Sequence, residues 1–239
     1  NISSDVTSPD GAGLQGKTIQ FFNSLRSDYA LASIDIEARN KGINLSSLFA
    51  TDINGRTRGT DGFWDVGATE AATEIYRSIG PTNTATLANG TGNNLTISGS
   101  VVSFASAVAD NIGVGDAIQY DRSGDTVIDS IMFIHSRTDS QNFTVRNSDG
   151  SLVSDLAVAD QDWDIFRAYN DLEDLEAASE NTGISGAVAD FDTIAGRDLH
   201  GNNIQSNMAL YGDGPATRWH LDDWVTSPTN YIYLFSPHT

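Results

Sequence analysis

The chain has 239 residues, with 32 acidic and 13 basic side chains, a net charge of −19 and no cysteine. Its hydrophobic fraction of 39%, with four Trp, seven Tyr and ten Phe, is enough for a folded core of one or two domains and excludes wholesale disorder. The absence of Cys excludes disulfides and thiolate metal sites, and the negative charge argues against nucleic acid or anionic membranes as partners.

The composition also predicts where the chain works and which cation it attracts. No apolar run approaches the roughly 20 residues that span a bilayer, so we expect no membrane span. Residue 1 is Asn, and no charged and then apolar leader is present, which favours a processed, secreted chain. Low Lys with abundant Asn, Asp, Ser, Thr and Gly is typical of bacterial surface proteins. Ca²⁺, which prefers carboxylate and carbonyl oxygens, is the cation that such a surface would hold.

Residues 1–70 read as short strands separated by polar turns, and we treat them as a first domain. The segment KTIQFF (17–22) is rich in β-branched and aromatic residues, and Asn54-Gly55 is a turn signal. The segment 33–42 predicts at most one helical turn, which ends at Gly42. The segment FWDVGA (63–68), which contains a tryptophan, ends this region.

Residues 71–169 form a second predicted domain, a small β module. Many short strands with recurrent Gly, Asn and Asp turns favour a sandwich or small barrel. The candidate strands are TATLA, NLTISG, VVSFAS, AIQYD, IDSIMFIHSR, NFTVRN and WDIFRAY.

Residues 170–239 are predicted to contain a helix followed by strands. The helix NDLEDLEAASENTG (170–183) has Asn170 or Asp171 as its N-cap, acidic residues in its first turn and Gly183 at its end. The segments NNIQSNMALYGD, RWHLDDWV and NYIYLFSP then return to strand patterns.

Several phrases resemble right-handed parallel β-helix proteins of bacterial surfaces. DYALASIDIEARNKGINLSSLFATDINGRTR and WDVGATE are similar to the last coils of that family, and the second half is similar to its leading β module, capping helix and first coil. The resemblance implies a mainly β chain with parallel β-helix coils at both termini, an inserted sandwich or barrel and one capping helix. The end of one β-helix would then precede the start of the next, as in a permuted repeat.

This inverted order predicts a non-enzymatic, self-assembling protein. Open ends of two β-helices would stack head to tail by β-augmentation and form an extracellular filament, with the chain itself as the partner and a polysaccharide or the cell surface as a candidate further partner. The alternative is a piece of a giant tandem-repeat surface adhesin. The predicted interface residues are Phe21, Phe22, Trp64, Tyr231, Tyr233 and Phe235.

A polysaccharide-binding or polysaccharide-degrading protein is the third class. Its best candidate cluster is RWHLDDW, in which His220 and Asp222 share one face of a strand. The remaining members are Trp219, Asp223 and Trp224. The favoured interpretation is a polar turn at Asp222-Asp223 flanked by packing tryptophans.

The segment DRSGDTVID (121–129) is the candidate calcium loop and the chain's only predicted cofactor site. It spaces oxygens at Asp121, Ser123, Asp125 and Asp129. It departs from the EF-hand pattern because Gly stands at position 4 and Met132 occupies position 12. A hairpin turn with a solvated acidic face is the competing interpretation. The histidines His135, His200, His220 and His238 are too scattered to predict zinc or triad chemistry.

Overall fold

The structure is a computed structural model, and it describes most of the chain. The described residues are 16–23, 28–32, 35–59, 62–154, 156–192, 194, 197–216 and 220–237. The chain divides into two compact units. Unit 1 comprises Asn1–Glu74, Ala195–Gln205 and Val225–Tyr231, and unit 2 comprises Ile75–Ile194, Ser206–Trp224 and Ile232–Thr239.

The described residues form thirteen strands and one short α-helix. In chain order these are β1 (Phe21–Asn23), β2 (Asp28–Leu31), β3 (Thr73–Ile79), β4 (Ala88–Asn89), β5 (Leu95–Ser98), β6 (Val101–Phe104), β7 (Ala117–Tyr120), β8 (Ser130–Arg137), β9 (Asn142–Arg146), β10 (Leu156–Asp160), β11 (Trp163–Phe166), α1 (Leu172–Ala177), β12 (Ile204–Leu210) and β13 (Ile232–Phe235). The prediction of a mainly β chain is confirmed.

Unit 2 is built on an eight-stranded antiparallel sheet that curls into a half-barrel. Its strand order is β10-β5-β6-β9-β8-β7-β11-β4. The β5–β6 hairpin shows how turn chemistry sets the pairing. Gly99 and Ser100 have φ values of 56° and 62°, and Ser98 pairs with Val101 across this two-residue loop. Two successive residues with positive φ give the turn whose twist matches that of the flanking strands.

Buried apolar and exposed polar residues alternate along these strands, and the buried ones form the core of the sheet. Leu95 and Ile97 are buried in β5, whereas Thr96 and Ser98 between and beyond them are exposed. Val102 and Phe104 continue the same face on β6. The resulting cluster also holds Ile112, Ile118, Tyr120, Met132, Ile134, Phe143, Val145, Trp163 and Ile165. The inward face is therefore continuous across the sheet.

The parallel β-helix prediction is wrong, and so is the fold class that depended on it. Every neighbouring pair in the main sheet is antiparallel, and short loops join β5 to β6, β7 to β8 and β8 to β9 directly, whereas parallel coils need long crossovers. Among the described strands, parallel pairing occurs in a small sheet of order β13-β12-β3, in which Ser206 aligns with Ile232. The described part of residues 1–70 has only the antiparallel pair β1–β2 and antiparallel bridges, not β-helix coils. Unit 2 has a curled sheet instead of a two-sheet sandwich.

The predicted helix exists but is short. Asp171 is its N-cap and accepts a hydrogen bond from the Leu172 N–H, as the sequence suggested. The helix ends at Ala177, because Ala178 adopts a left-handed conformation (φ 48°, ψ 48°) well before Gly183. Leu172 and Leu175 are buried in a second core cluster of unit 2, with Phe133, Phe166, Tyr169, Phe191 and Met208. The helix is thus part of that core and does not cap a β-helix.

A fully buried arginine joins two carboxylates in unit 2. Arg167 Nη1 donates to both carboxylate oxygens of Asp116 at 2.8 and 2.9 Å, and Arg167 Nε donates to Asp213 at 2.8 Å. Its guanidinium carbon lies 3.5 Å from the centre of the Tyr211 ring. Burial lowers the pKa of Arg167, but Asp116 and Asp213 outweigh burial and raise its pKa above the ordinary value. The group is therefore a permanent interior cation.

Replacing this cation should severely destabilise unit 2. We expect Arg167→Met to cost about 3–5 kcal/mol of unfolding free energy, because it leaves buried carboxylates without a counter-charge. Urea unfolding followed by tryptophan fluorescence measures the loss. Arg122→Met is the matched control, since Arg122 is exposed and donates to Ser154; it should change the free energy by less than about 0.5 kcal/mol. Equal effects of the two substitutions would contradict this role.

Candidate assembly surface

Unit 1 exposes an unusual number of large apolar side chains. Ile36, Ile43, Leu48 and Ile53 are 73–79% exposed. Leu45, Phe49 and Phe63 are exposed to a lesser degree. Single exposed apolar residues need no explanation, but a concentration of them on a soluble protein typically marks an interaction site. We refer to these seven residues, which are exposed singly between residues 36 and 63 of the chain, as the unit 1 apolar surface.

Trp64 anchors the turns that carry this surface. Leu48 and Phe49 both donate backbone hydrogen bonds to the Leu45 carbonyl, which forms one tight turn. The Phe49 ring lies 5.4 Å from the buried ring of Trp64. The backbone carbonyl of Trp64 accepts a hydrogen bond from the Gly42 N–H at 2.6 Å. A side chain at position 42 would collide with the Asp65 carbonyl, so this close approach requires glycine.

A buried ion pair supports Trp64 from within unit 1. The Arg58 guanidinium lies 5.4 Å from the Trp64 ring and 5.8 Å from the Phe49 ring, in cation–π geometry. Arg58 Nη1 contacts Glu70 at 3.2 Å, and both side chains are only 4% exposed. Arg58 Nη2 also donates to the Gly67 carbonyl at 2.7 Å. The cation, both rings and the carboxylate form one interior stack beneath the turns.

The acidic side chains of this region are used inside unit 1. Asp52 accepts backbone hydrogen bonds from residues 54, 56 and 70. Asp65 accepts from residues 40 and 71, and Glu70 accepts from residues 59 and 65. All three side chains are buried. Their carboxylate oxygens therefore serve as hydrogen-bond acceptors for loops inside unit 1.

The two units differ sharply in charge. Unit 2 holds 21 acidic and 6 basic residues, a net charge of −15, whereas unit 1 holds 11 acidic and 7 basic residues, a net charge of −4. The apolar surface thus belongs to the unit that carries little net charge. Desolvation of such a surface costs less than desolvation of a charged one.

The interface residues predicted from the sequence lie in several environments. Phe21 is 41% exposed on β1, Trp64 is buried and Tyr231 is half-buried. On β13, the Tyr233 and Phe235 rings stack at 5.5 Å, and Tyr233 is 52% exposed. The side chain of Phe22 lies outside the described residues. The assembly role of these residues stays a prediction, and the sequence reasoning missed the more exposed aliphatic residues of the apolar surface.

The predicted calcium loop has its carboxylates engaged with its own backbone. Asp121 accepts hydrogen bonds from the N–H groups of residues 124 and 126 and from the Ser123 hydroxyl. Asp129 accepts from the Arg122 N–H, and Asp125 from the Val127 N–H. Within the described ranges, no three His, Asp or Glu side chains converge as a metal site would require. Calcium binding here stays a prediction, and the hydrogen bonds describe a capped turn.

The histidine and tryptophan cluster is an exposed surface loop of unit 2. His220 Nδ1 lies 2.7 Å from Asp222, and both side chains are largely exposed. Trp224 Nε1 donates to Glu176 of α1 at 2.8 Å, a partner that the sequence pattern does not predict. Asp223 has φ 63°, which fits the turn interpretation. Trp219 and His238 lie outside the described residues, and His135 packs edge-on against Tyr76.

A small surface cavity of about 210 Å³ lies elsewhere in unit 2. Its lining comprises Asp110, Ile112, Gly113, Val114, Arg137, Tyr211 and Pro237. Arg137 Nη1 already donates to three loop carbonyls, and the Tyr211 hydroxyl donates to the Val114 carbonyl. Its size lies below the usual range for ligand sites, and its polar groups serve the loop.

Comparison with protein-family models, with curated proteins and with solved structures finds no match to this chain. In the part of the chain that the structure describes, no helix has the length and apolar character to cross a bilayer.

Glu70 should make the stability of unit 1 depend on pH. Burial raises the pKa of Glu70 to about 7, because desolvation outweighs the Gly59 hydrogen bond and the charge of Arg58, and nearby Asp65 adds to the rise. Its stabilising contribution is therefore complete below the ordinary pKa of 4.5 and is lost as the pH rises through about 7. The free energy of unfolding measured with urea should be lower at pH 8 than at pH 5. Glu70→Gln should make this difference between the two pH values smaller. Glu173→Gln, at an exposed position of α1, is the control and should leave the pH difference unchanged.

A calcium site and a hydrogen-bonded turn predict different effects of substitutions in the loop at residues 121–129. Asp121→Ala removes an acceptor for three donors, so we expect a lower melting temperature in calcium and in chelator alike. Asp125→Ala removes one exposed hydrogen bond and should have a small effect in both conditions. Melting followed by circular dichroism makes the comparison. A loss at Asp125 that occurs only with calcium would favour a metal site.

Proposed function

We propose that this chain is a non-enzymatic structural protein whose copies associate with one another in an extracellular assembly. The observation that carries the proposal is the unit 1 apolar surface, with seven large apolar side chains exposed between residues 36 and 63. Full burial of one such side chain contributes up to about 1.5–3 kcal/mol. Several of them together would offset the loss of translational and rotational freedom on association.

The charge distribution supports association over catalysis. Unit 2 carries a net charge of −15, which keeps the molecule soluble and keeps that unit apart from other copies. The ionisable groups of unit 1 with shifted pKa values, such as Glu70, are bound to backbone N–H groups and to Arg58. Among the described residues of unit 1, these groups support loops. A filament and a module of a longer surface adhesin both remain consistent with this role.

Concentration and salt series test the proposal. We expect the molar mass from size-exclusion chromatography with light scattering to rise with protein concentration. Added salt should promote association further, because it screens repulsion between chains of charge −19. Negative-stain images then show whether the product is closed or filamentous. A monomer at every protein and salt concentration would overturn the proposal.

A further inference from the structure

We propose that Asn54 is a site of spontaneous deamidation, at which the backbone of an exposed turn in unit 1 is converted in part to an isoaspartyl linkage. Asparagine followed by glycine favours this reaction, because glycine lacks the side chain that would hinder attack by its backbone nitrogen. The chain has two such pairs, Asn54-Gly55 and Asn89-Gly90. Their surroundings in the fold differ, and this difference identifies the pair that reacts.

The reaction needs no reagent other than water. The backbone nitrogen of Gly55 bonds to Cγ of Asn54 and gives up its proton, while the bond from Cγ to the side-chain nitrogen breaks and ammonia leaves with that proton. The product is a succinimide ring. Water then adds to one of its two carbonyl carbons and opens the ring, which gives either aspartate or isoaspartate. The net change is hydrolysis of one carboxamide, with no transfer of electrons.

Asn54 and Gly55 are free to reach the geometry of attack. Both residues are exposed, and the Asn54 carboxamide forms no hydrogen bond with the described residues. Beyond its chain neighbours, no described atom lies within 4 Å of the position that a Cβ on Gly55 would take. The Gly55 N–H donates to the Asp52 carbonyl at 3.0 Å, inside the same turn. A movement of the turn alone therefore releases the attacking nitrogen.

The other pair is held in strand pairing. Asn89 is the last residue of β4, which pairs with β11. The Gly90 N–H donates to the Trp163 carbonyl at 2.9 Å. The Asn89 carboxamide oxygen accepts a hydrogen bond from the Thr91 N–H at 3.1 Å. Gly90 is buried, and a Cβ on it would overlap the Gln161 carbonyl. Attack by the Gly90 nitrogen therefore requires the edge of the sheet to open.

The isoaspartyl product should weaken the attachment of this turn to the interior of unit 1. It routes the backbone through the side-chain carbons of residue 54 and so lengthens the turn. Asp52, in the same turn, accepts hydrogen bonds from the Arg56 N–H at 2.9 Å and the Glu70 N–H at 3.0 Å. The Ile53 N–H donates to the Ala68 carbonyl at 3.0 Å. These bonds fix the turn against residues 68–70, so the stability of this region should decline as a molecule ages.

The rates of deamidation at the two pairs test the proposal. The folded chain is incubated at pH 8, and peptide mass spectrometry measures the modified fraction at each asparagine over time. Asn54 should react at least about tenfold faster than Asn89, because opening of the strand pairing adds to the barrier at Asn89. In guanidinium chloride the two rates should converge, since no fold then protects either pair. Equal rates in the folded chain, faster reaction at Asn89, or a difference that persists in denaturant would overturn the proposal.

Two variants separate the altered backbone from the new charge. Asn54→Gln keeps the carboxamide on a longer side chain, which closes the corresponding ring far more slowly, so it should stay unmodified under the same conditions. Asn54→Asp carries the new charge on a normal backbone and should unfold at the same urea concentration as the fresh wild type. The deamidated chain purified by ion exchange, which contains the isoaspartyl product, should unfold at a lower one. If it unfolds with Asn54→Asp instead, the modification site stands and its effect on the turn is wrong.

Discussion

The positive charge of Arg167 lies in the interior of unit 2, and the carboxylates of Asp116 and Asp213 hold it from two sides. Arg167 directly follows the last residue of β11, Asp116 directly precedes β7, and Asp213 follows β12. One guanidinium thus fixes the ends of strands from both sheets that contribute to unit 2. Because Arg167 and Asp116 are both fully buried, separating these strand ends would leave a charge without its partner in the interior. The interaction therefore favours one arrangement of the strands more than it adds net stability.

Local pattern predicted most strands of unit 2 but not how they pair. Alternation in NLTISG, VVSFAS and NFTVRN marks β5, β6 and β9, because one face of each is buried. Whether neighbouring strands run parallel or antiparallel depends on how the chain connects them. A resemblance over short sequence segments does not carry that information. The predicted length of the helix was wrong for a related reason. Ala178 ends it in a left-handed conformation that the sequence does not favour, and its N–H bonds to the carbonyls of Asp174 and Leu175 close the helix there.

The apolar surface was harder to predict than the core. An isoleucine or leucine in a polar turn has the same sequence appearance whether its side chain packs inward or faces solvent. Trp64 was assigned to the interface, yet it is buried against Phe49 and Arg58. Conversely, Leu48 and Ile53 were overlooked because only the folded turns reveal their exposure. The excess of acidic over basic residues, by contrast, is evident from the sequence. The structure shows that this excess is divided unequally between the two units.

The turns of both units owe their order to ionised aspartates. Burial works against ionisation of Asp35 and Asp121, but hydrogen bonds from loop N–H groups keep the pKa of each below its ordinary value. Backbone hydrogen bonds likewise lower the pKa of Asp129 and Asp139. The stability that these groups provide is present above the ordinary pKa of 3.8 and is lost as the pH falls through their lowered pKa values. Mild acid would thus leave the protein intact, whereas strong acid would release many loops together while the apolar sheet core stayed collapsed, a compact state with loosened connections.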